Sequence, residues 1–315
     1  MSDSTEAVNT QALPKTGVFH DMPSSAYHGM KNSFSSTQLK DAVEDVEYFY
    51  KKHVLKEIAR EESSAFDVGS YFHCAVLEPD KLSGETAVFE GIRRGKEWDK
   101  FKEDNRGKAI ITKSEFTQAT GLIRAVHESP IAMGRISRGK PEVSALIEIQ
   151  VDGSMIFGPD KRLLTREGWV KTTSKPSKDA VKMIIKARAD LLGDDYILDL
   201  KSTTGNAKSE FTMKQKVSSY NYDLSAALYL DVFTAATGRE YQEFIWTFAS
   251  KDNFTSKSYI ASRENILIGR AKYKKALLNI AEGVSNDWTF VDSMGILKPN
   301  SYELDHIREG AEDAL

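Results

Sequence analysis

Ala187-Arg188-Ala189-Asp190, then Tyr196-Ile197-Leu198-Asp199-Leu200-Lys201, is the stretch on which the reading of this chain turns. Both segments have the composition and alternation of short strands. In the second, Asp199 and Lys201 alternate with Leu198 and Leu200, so the two polar side chains share one face of a strand whose other face is buried. Asp190 closes the first strand, and Gly193-Asp194-Asp195 supplies the turn between them. Two carboxylates and one ammonium therefore meet at a strand end. Aspartates that close repel each other unless a cation lies between them. A hard, oxygen-seeking ion such as Mg²⁺, with Mn²⁺ as a substitute, is the natural guest. The lysine is then placed to orient a water and to stabilise charge growing on a phosphate. Lys201 is the only lysine of the chain with an acidic residue two positions before it. The plainer alternative for the same residues is an ion pair on an exposed edge strand.

Around this centre the chain reads as one α/β unit of 315 residues. Residues 1 to about 17 are polar and rich in Ser, Thr and Asn, the composition of a disordered tail. Ser35-Ser36-Thr37-Gln38 has the form of a helix start with a capping box. Leu39, Val43, Val46, Phe49 and Tyr50 continue one helical face. A second helix is expected from Ala65 to Leu77, ended by Pro79, with Gly69 and His73 on one side of it. There Gly69 would permit close packing, and His73 is either a core histidine or a ligand. Residues 91 to 108 read as a charged loop, and a third helix runs from about Lys113 to Val126. Glu142 to Val151 alternates strongly and ends at Asp152-Gly153, a strand with its turn. Residues 154–182 form a basic insertion, with four more basic than acidic residues and no regular pattern. It is either a solvated surface excursion or a phosphate-contacting hairpin or lid. An aromatic helix is expected from about Met213 to Thr237, closed by Gly238. A strand pair, Glu243 to Ser250 and Ser258 to Ala261, follows, then a helix from Glu264 to Ala281. Residues 291–315 make an acidic C-terminal tail. The order implies a mixed central sheet flanked by helices, in a single domain spanning 18–290.

Composition sets limits on function. The chain is 40% hydrophobic and 28% charged with a net charge of -3, ordinary for a globular protein. No apolar run reaches the length of a membrane span and no signal peptide is evident, so a cytoplasmic protein without membrane contact is expected. One cysteine, Cys74, excludes an internal disulfide framework and a Cys-ligated zinc or iron–sulfur site within one chain.

The acidic candidates fall in chain order: His73 on a helix, Glu142 at a strand start, Asp190, then Asp199 and Lys201. This order resembles the PD-(D/E)-x-K nuclease superfamily and, within it, the RecE-type (exonuclease VIII-like) phage exonucleases. The resemblance is carried by Tyr27-His28 with Ser35-Ser36-x-x-Leu39, by Gly69-Ser70-Tyr71-Phe72-His73 running to Leu77-Glu78-Pro79, and by Gly95-Lys96-Glu97-Trp98. It continues through Glu142-Val143-Ser144, the two segments quoted first, and Tyr220-Asn221-Tyr222-Asp223 with Tyr229 beyond. It spans roughly residues 19 to 290. Ser225 stands where that family's helix usually carries a glutamine, and 154–182 is longer than its usual turn.

The resemblance implies that His73, Asp190, Asp199 and the Leu200 carbonyl hold metal, that Lys201 activates water and that Glu142 is an auxiliary ligand. It also implies 5′-to-3′ resection of linear duplex DNA ends for phage-type recombination, a ring-shaped homo-oligomer and a RecT-type single-strand annealing protein as partner. Arg93, Arg94 and Lys96 are the candidate phosphate contacts. Tyr222 is either core or site-facing. Ser35 and Ser36 either cap their helix or receive a 5′ phosphate. Two rival readings are a monomeric nuclease of the same superfamily (a nicking or CRISPR-adaptation-type enzyme) and a catalytically idle DNA-binding protein.

Overall fold

The computed structural model describes residues 15–59, 64–291 and 294. The first part of the chain contains β1 (Gly17–Phe19), α1 (Ser24–Gly29), β2 (Ser33–Phe34), α2 (Ser36–Glu44), α3 (Val46–Phe49, running into a π-helical turn at Tyr50–Val54) and α4 (Ser64–Leu77). Next come α5 (Leu82–Glu85), β3 (Thr86–Phe89), α6 (Gly95–Asp104), β4 (Ala109–Thr112), α7 (Lys113–His127) and α8 (Pro130–Ile136). Then follow β5 (Lys140–Asp152), β6 (Met155–Gly158), β7 (Arg162–Thr165), β8 (Gly168–Lys171), β9 (Val181–Leu192) and β10 (Tyr196–Thr203). The last elements are α9 (Glu210–Ser219), α10 (Tyr222–Thr237), β11 (Glu243–Ser250), β12 (Ser256–Ile260) and α11 (Arg263–Ser285).

Ten strands form one mixed sheet in the order β12-β11-β10-β9-β5-β6-β7-β8, with β1 added to β5 and β2 to β9. The long pair β5 and β9 is antiparallel, as is β9 with β10, whereas β10 and β11 run parallel. A parallel neighbour requires a crossover, and α9 and α10 supply it. The expected mixed sheet flanked by helices is thus observed.

Strand alternation divides the core. Ile197, Phe244, Trp246 and Phe248 pack with α10 and α11 through Leu228, Phe233, Tyr273 and Leu277. Leu198, Leu200, Ile245 and Ala249 pack on the opposite side with Phe72 and Val76 of α4 and Leu122 and Val126 of α7. Asp199 and Lys201 therefore lie on the α10 side of β10, and α4 covers the other.

Several expected boundaries move. The first helix breaks at Asp45, whose extended backbone and side chain cap α3 by accepting from the N–H groups of Glu47 and Tyr48. The aromatic helix is two helices, because Asn221 takes a left-handed conformation at φ 49°, which asparagine tolerates better than most residues. Within 91–108, residues 95–104 are helical, not loop. Residues 154–182 contain β6, β7 and β8, an antiparallel meander that extends the sheet. Ile156 and Leu164 anchor the meander in the core, and the Trp169 indole donates to the Asp231 carbonyl of α10 at 3.0 Å. Its exposed lysines, Lys161, Lys171, Lys175 and Lys178, decorate a docked sheet edge. Of the expected N-terminal tail, Gly17 belongs to β1, and residues 1–14 lie outside the described residues, as does nearly all of 291–315.

Candidate functional site

β9 and β10 pair only beside their turn, at Ile197↔Leu192 and Leu198↔Leu191. Beyond that point the strands fork. The Leu200 N–H that would continue the ladder donates instead to Asp190 Oδ2 at 2.8 Å. A carboxylate thus takes over a backbone acceptor's position, and the Asp190 side chain is fixed in the mouth of the fork. On the other side of β9 the ladder to β5 is interrupted between Pro141↔Leu191 and Val143↔Ala189. The missing pair is Glu142 opposite Asp190, and Glu142 has φ 52°. A left-handed non-glycine residue inside a strand costs on the order of 1–3 kcal/mol, and such strain concentrates at functional sites.

α4 brings His73 over the fork, with Nδ1 3.5 Å from Asp190 Oδ2. His73, Glu142 and Asp190 each offer a donor atom within 4.8 Å of the others. Lys201 Nζ lies 2.6 Å from Asp199 Oδ1 and 3.9 Å from Asp190 Oδ2. Among the described residues His73, Glu142 and Asp190 form the group at ligand distance, and Asp199 stands beside it, joined to Asp190 through Lys201.

The charges there are under tension. Burial pushes the Glu142 carboxyl up to about 7, and the neighbouring Asp190 adds to this against the opposing pull of Arg188. Asp199 is 5% exposed; burial raises its carboxyl, Lys201 opposes, and Asp190 raises it further. Burial works against the Lys201 ammonium, yet Asp199 and Asp190 outweigh it and hold the group above its ordinary value. Three carboxylates face one ammonium and the more distant Arg188 guanidinium, 3.8 Å from Glu142. An imidazole and carboxylates, with no thiolate, form a donor set suited to a divalent ion such as Mg²⁺ or Mn²⁺. Cys74 is turned away, its thiol donating to the Glu78 carbonyl.

The remaining predicted residues divide. Ser35 caps α2 through a box with Gln38, and the buried Ser36 hydroxyl lies 3.5 Å from the Tyr229 hydroxyl. Arg93 is engaged within the protein, paired with Glu115 at 2.8 Å and donating to the Ile110 carbonyl. Arg94 and Lys96 are exposed at the start of α6. Tyr222 lies beside the cluster, 5.8 Å from Lys201 Nζ. A side chain on Gly69 would meet nothing within 4 Å, so the expected close packing there is absent.

Sequence reasoning missed three neighbours. Arg188 is two residues before Asp190 on β9, a same-face spacing that was available. Lys40, beside Tyr222, has its ammonium lowered to about 8 by burial and by Lys201. Tyr229 is raised by burial, with Asp199, Asp190 and Glu142 adding to it. Lys40 carries no local signal, and Tyr229, named only as a mark of the resemblance, was given no role, because tertiary packing brings both to the site.

Comparison with known proteins agrees with this fold. Residues 35–287 match the family described as "PDDEXK-like domain of unknown function (DUF3799)". A crystal structure described as a candidate exonuclease from Eubacterium rectale superposes with a TM-score of 0.54 at 17% identity, covering 90% of this chain and 97% of that one. That likeness speaks for the fold. The solved structure of SSO0001 aligns at 12% identity over 80% of this chain and 86% of that one, but its TM-score of 0.28 carries no argument. None of the curated proteins matches the chain. The family match runs from the cap of α2 through the end of α11 and so takes in His73, Glu142, Asp190, Asp199 and Lys201: the chain belongs to the PDDEXK-like (DUF3799) family, within the PD-(D/E)-x-K nuclease superfamily.

Proposed function

We propose that this protein is a metal-dependent exodeoxyribonuclease of the RecE type that resects linear duplex DNA ends, 5′ to 3′, for phage-type recombination. The observation that carries the reading is the fork itself: Asp190 and Asp199 on diverging strands, Lys201 between them, and His73 and Glu142 closing the far side. His73, Asp190, Asp199 and the Leu200 carbonyl are the residues to hold the ion, with Glu142 as auxiliary ligand. When bound, a divalent metal supplies neutralisation of the charge on the attacking and leaving oxygens of a phosphodiester. Lys201, held in its charged form by Asp199 and Asp190, keeps its proton and acts by donating to water and to the phosphate oxygens. Arg94 and Lys96, both exposed, are the proposed contacts for backbone phosphates. A ring-shaped homo-oligomer that threads the duplex, and a RecT-type annealing partner, complete the proposal. A net charge of -3 is compatible with basic residues turned toward such a channel.

The test is digestion of linear duplex DNA labelled separately at each 5′ and 3′ end, in Mg²⁺, in Ca²⁺ and in chelator, beside a covalently closed circle. Release of the 5′ label in Mg²⁺ alone, with the circle spared, is expected. Sedimentation should show a species several times the 35.2 kDa chain. Robust cleavage in excess chelator would overturn the metal-dependent reading. A monomer that cuts closed circles would make the protein an endonuclease.

A further inference from the structure

Tyr220 and Tyr222 are two residues apart. In an unbroken helix they would point about 200° away from each other, because only residues three or four apart share a face. Here they stack, with ring centroids 5.5 Å apart and planes inclined by 24°. The left-handed turn at Asn221 makes this possible. It is anchored by the Asn221 side chain donating to Glu44 of α2 at 2.9 Å. The stack begins inside the protein, where Tyr222 leans on the buried Phe248 at 6.2 Å. It ends in solvent, where Tyr220 is 53% exposed.

Cations line it along its length. Lys201 and Lys40 stand 5.8 and 5.0 Å from the Tyr222 ring, and Lys216 stands 5.6 Å from the Tyr220 ring. Lys216 also donates to Thr204, in the loop that leaves β10. The platform is therefore continuous with the fork: its inner end is the site lysine and its outer end is a half-exposed aromatic ring.

We infer that Tyr220 is the outer step of a stacking platform for an unpaired nucleobase of the bound strand. The inference rests on the nuclease reading and deepens it by naming the form of substrate. Aromatic rings interleaved with ammonium groups match a single strand, since each nucleotide offers a π-face and a phosphate. A base inside a duplex has both faces covered by its neighbours and can offer none. Only a terminal or frayed nucleotide can add to the stack, which agrees with an enzyme that works from ends.

The test measures binding of a short single-stranded oligonucleotide by fluorescence anisotropy in chelator, where no cleavage interferes. Stacking on one aromatic residue predicts that Tyr220→Ala weakens binding roughly 5- to 100-fold, whereas Tyr220→Phe, which keeps the ring, binds as the wild type does. Replacing single nucleotides by abasic ones should reveal one position whose loss costs the wild type a similar factor and costs Tyr220→Ala nothing further. Tyr220→Ala binding within twofold of wild type, or an abasic penalty equally large in both proteins at every position, overturns the inference. Digestion of end-labelled duplex in Mg²⁺ is run beside it. Digestion with no role for Tyr220 in binding removes the platform and leaves the nuclease. Tyr220-dependent binding without digestion removes the nuclease and leaves the platform. A wild-type protein that binds no single strand overturns the platform outright.

Discussion

Glu142 offers the sharpest test of the electrostatics. Burial and Asp190 raise its carboxyl from the ordinary 4.5 to about 7 in the metal-free protein. A carboxyl raised on folding contributes stability that is complete below its unfolded value and is lost as pH rises through its folded value. The metal-free protein should therefore weaken between about pH 4.5 and pH 7. If the whole displacement were expressed, the loss would be about 3 kcal/mol. The side chain is 32% exposed, and screening by water reduces this to on the order of 1–2 kcal/mol. In a chain of this size that corresponds to roughly 1.5–3 °C in Tm. Glu142→Gln has the shape of the protonated acid and cannot ionise. In chelator it should melt with the wild type at pH 5 and above it by that margin at pH 8. Saturating Mn²⁺ at pH 8 should reverse the order, because the wild type gains a charged ligand that the amide does not provide. Melting curves for the two proteins that stay parallel from pH 5 to pH 8 in chelator would refute the reasoning, since Glu142 would then carry no folding-linked proton.

Asp199→Asn should fold and lose at least about 10²–10³ in cleavage rate; wild-type speed on end-labelled duplex would remove Asp199 from the site. Lys201→Met alone strands a buried carboxylate and should cost on the order of 3–5 kcal/mol, while the double variant Asp199→Asn/Lys201→Met should recover most of the melting temperature. His73→Ala should weaken Mn²⁺ binding in calorimetry, with excess Mn²⁺ restoring part of the rate; a lower Tm with unchanged Mn²⁺ dependence would mark a packing residue instead. Gly269→Ala drives a Cβ into the Asp223 carbonyl oxygen, where α11 crosses α10. Backbone cannot yield as a side chain can, so a loss of about 3 kcal/mol or more is expected by chemical denaturation.

The sheet was legible because its strands are long or strictly alternating. Glu142 to Val151 and Asp199 with Lys201 announce their faces by period alone, and the resemblance ordered His73, Glu142, Asp190 and Lys201 before any geometry was known. What was not legible has physical causes. β6, β7 and β8 are four residues each, too short for alternation to rise above the lysines around them. The break at Asn221 hides in an aromatic pattern that continues on both sides, since one left-handed residue leaves composition unchanged. The positive φ of Glu142 is invisible for the same reason. The plainer reading of Asp199 and Lys201 was an ion pair on an exposed edge strand. Burial of the pair makes their single removal expensive.

β10 belongs far more to β11, with which it pairs along its whole length from Tyr196↔Glu243 to Thr203↔Ser250, than to β9. The ten-stranded sheet thus has a seam. Glu142 and Asp190 stand on one bank of it, Asp199 and Lys201 on the other, and the Leu200 amide bonded to Asp190 bridges them. Opening along that line would dismantle the candidate site while each half-sheet kept its own ladder, an excursion below global unfolding. Anything held between Asp190 and Asp199 acts as a staple across the seam. Amide hydrogen exchange at Leu200, slowed on loading while the β5–β9 ladder is unaffected, would register whether the two banks are joined.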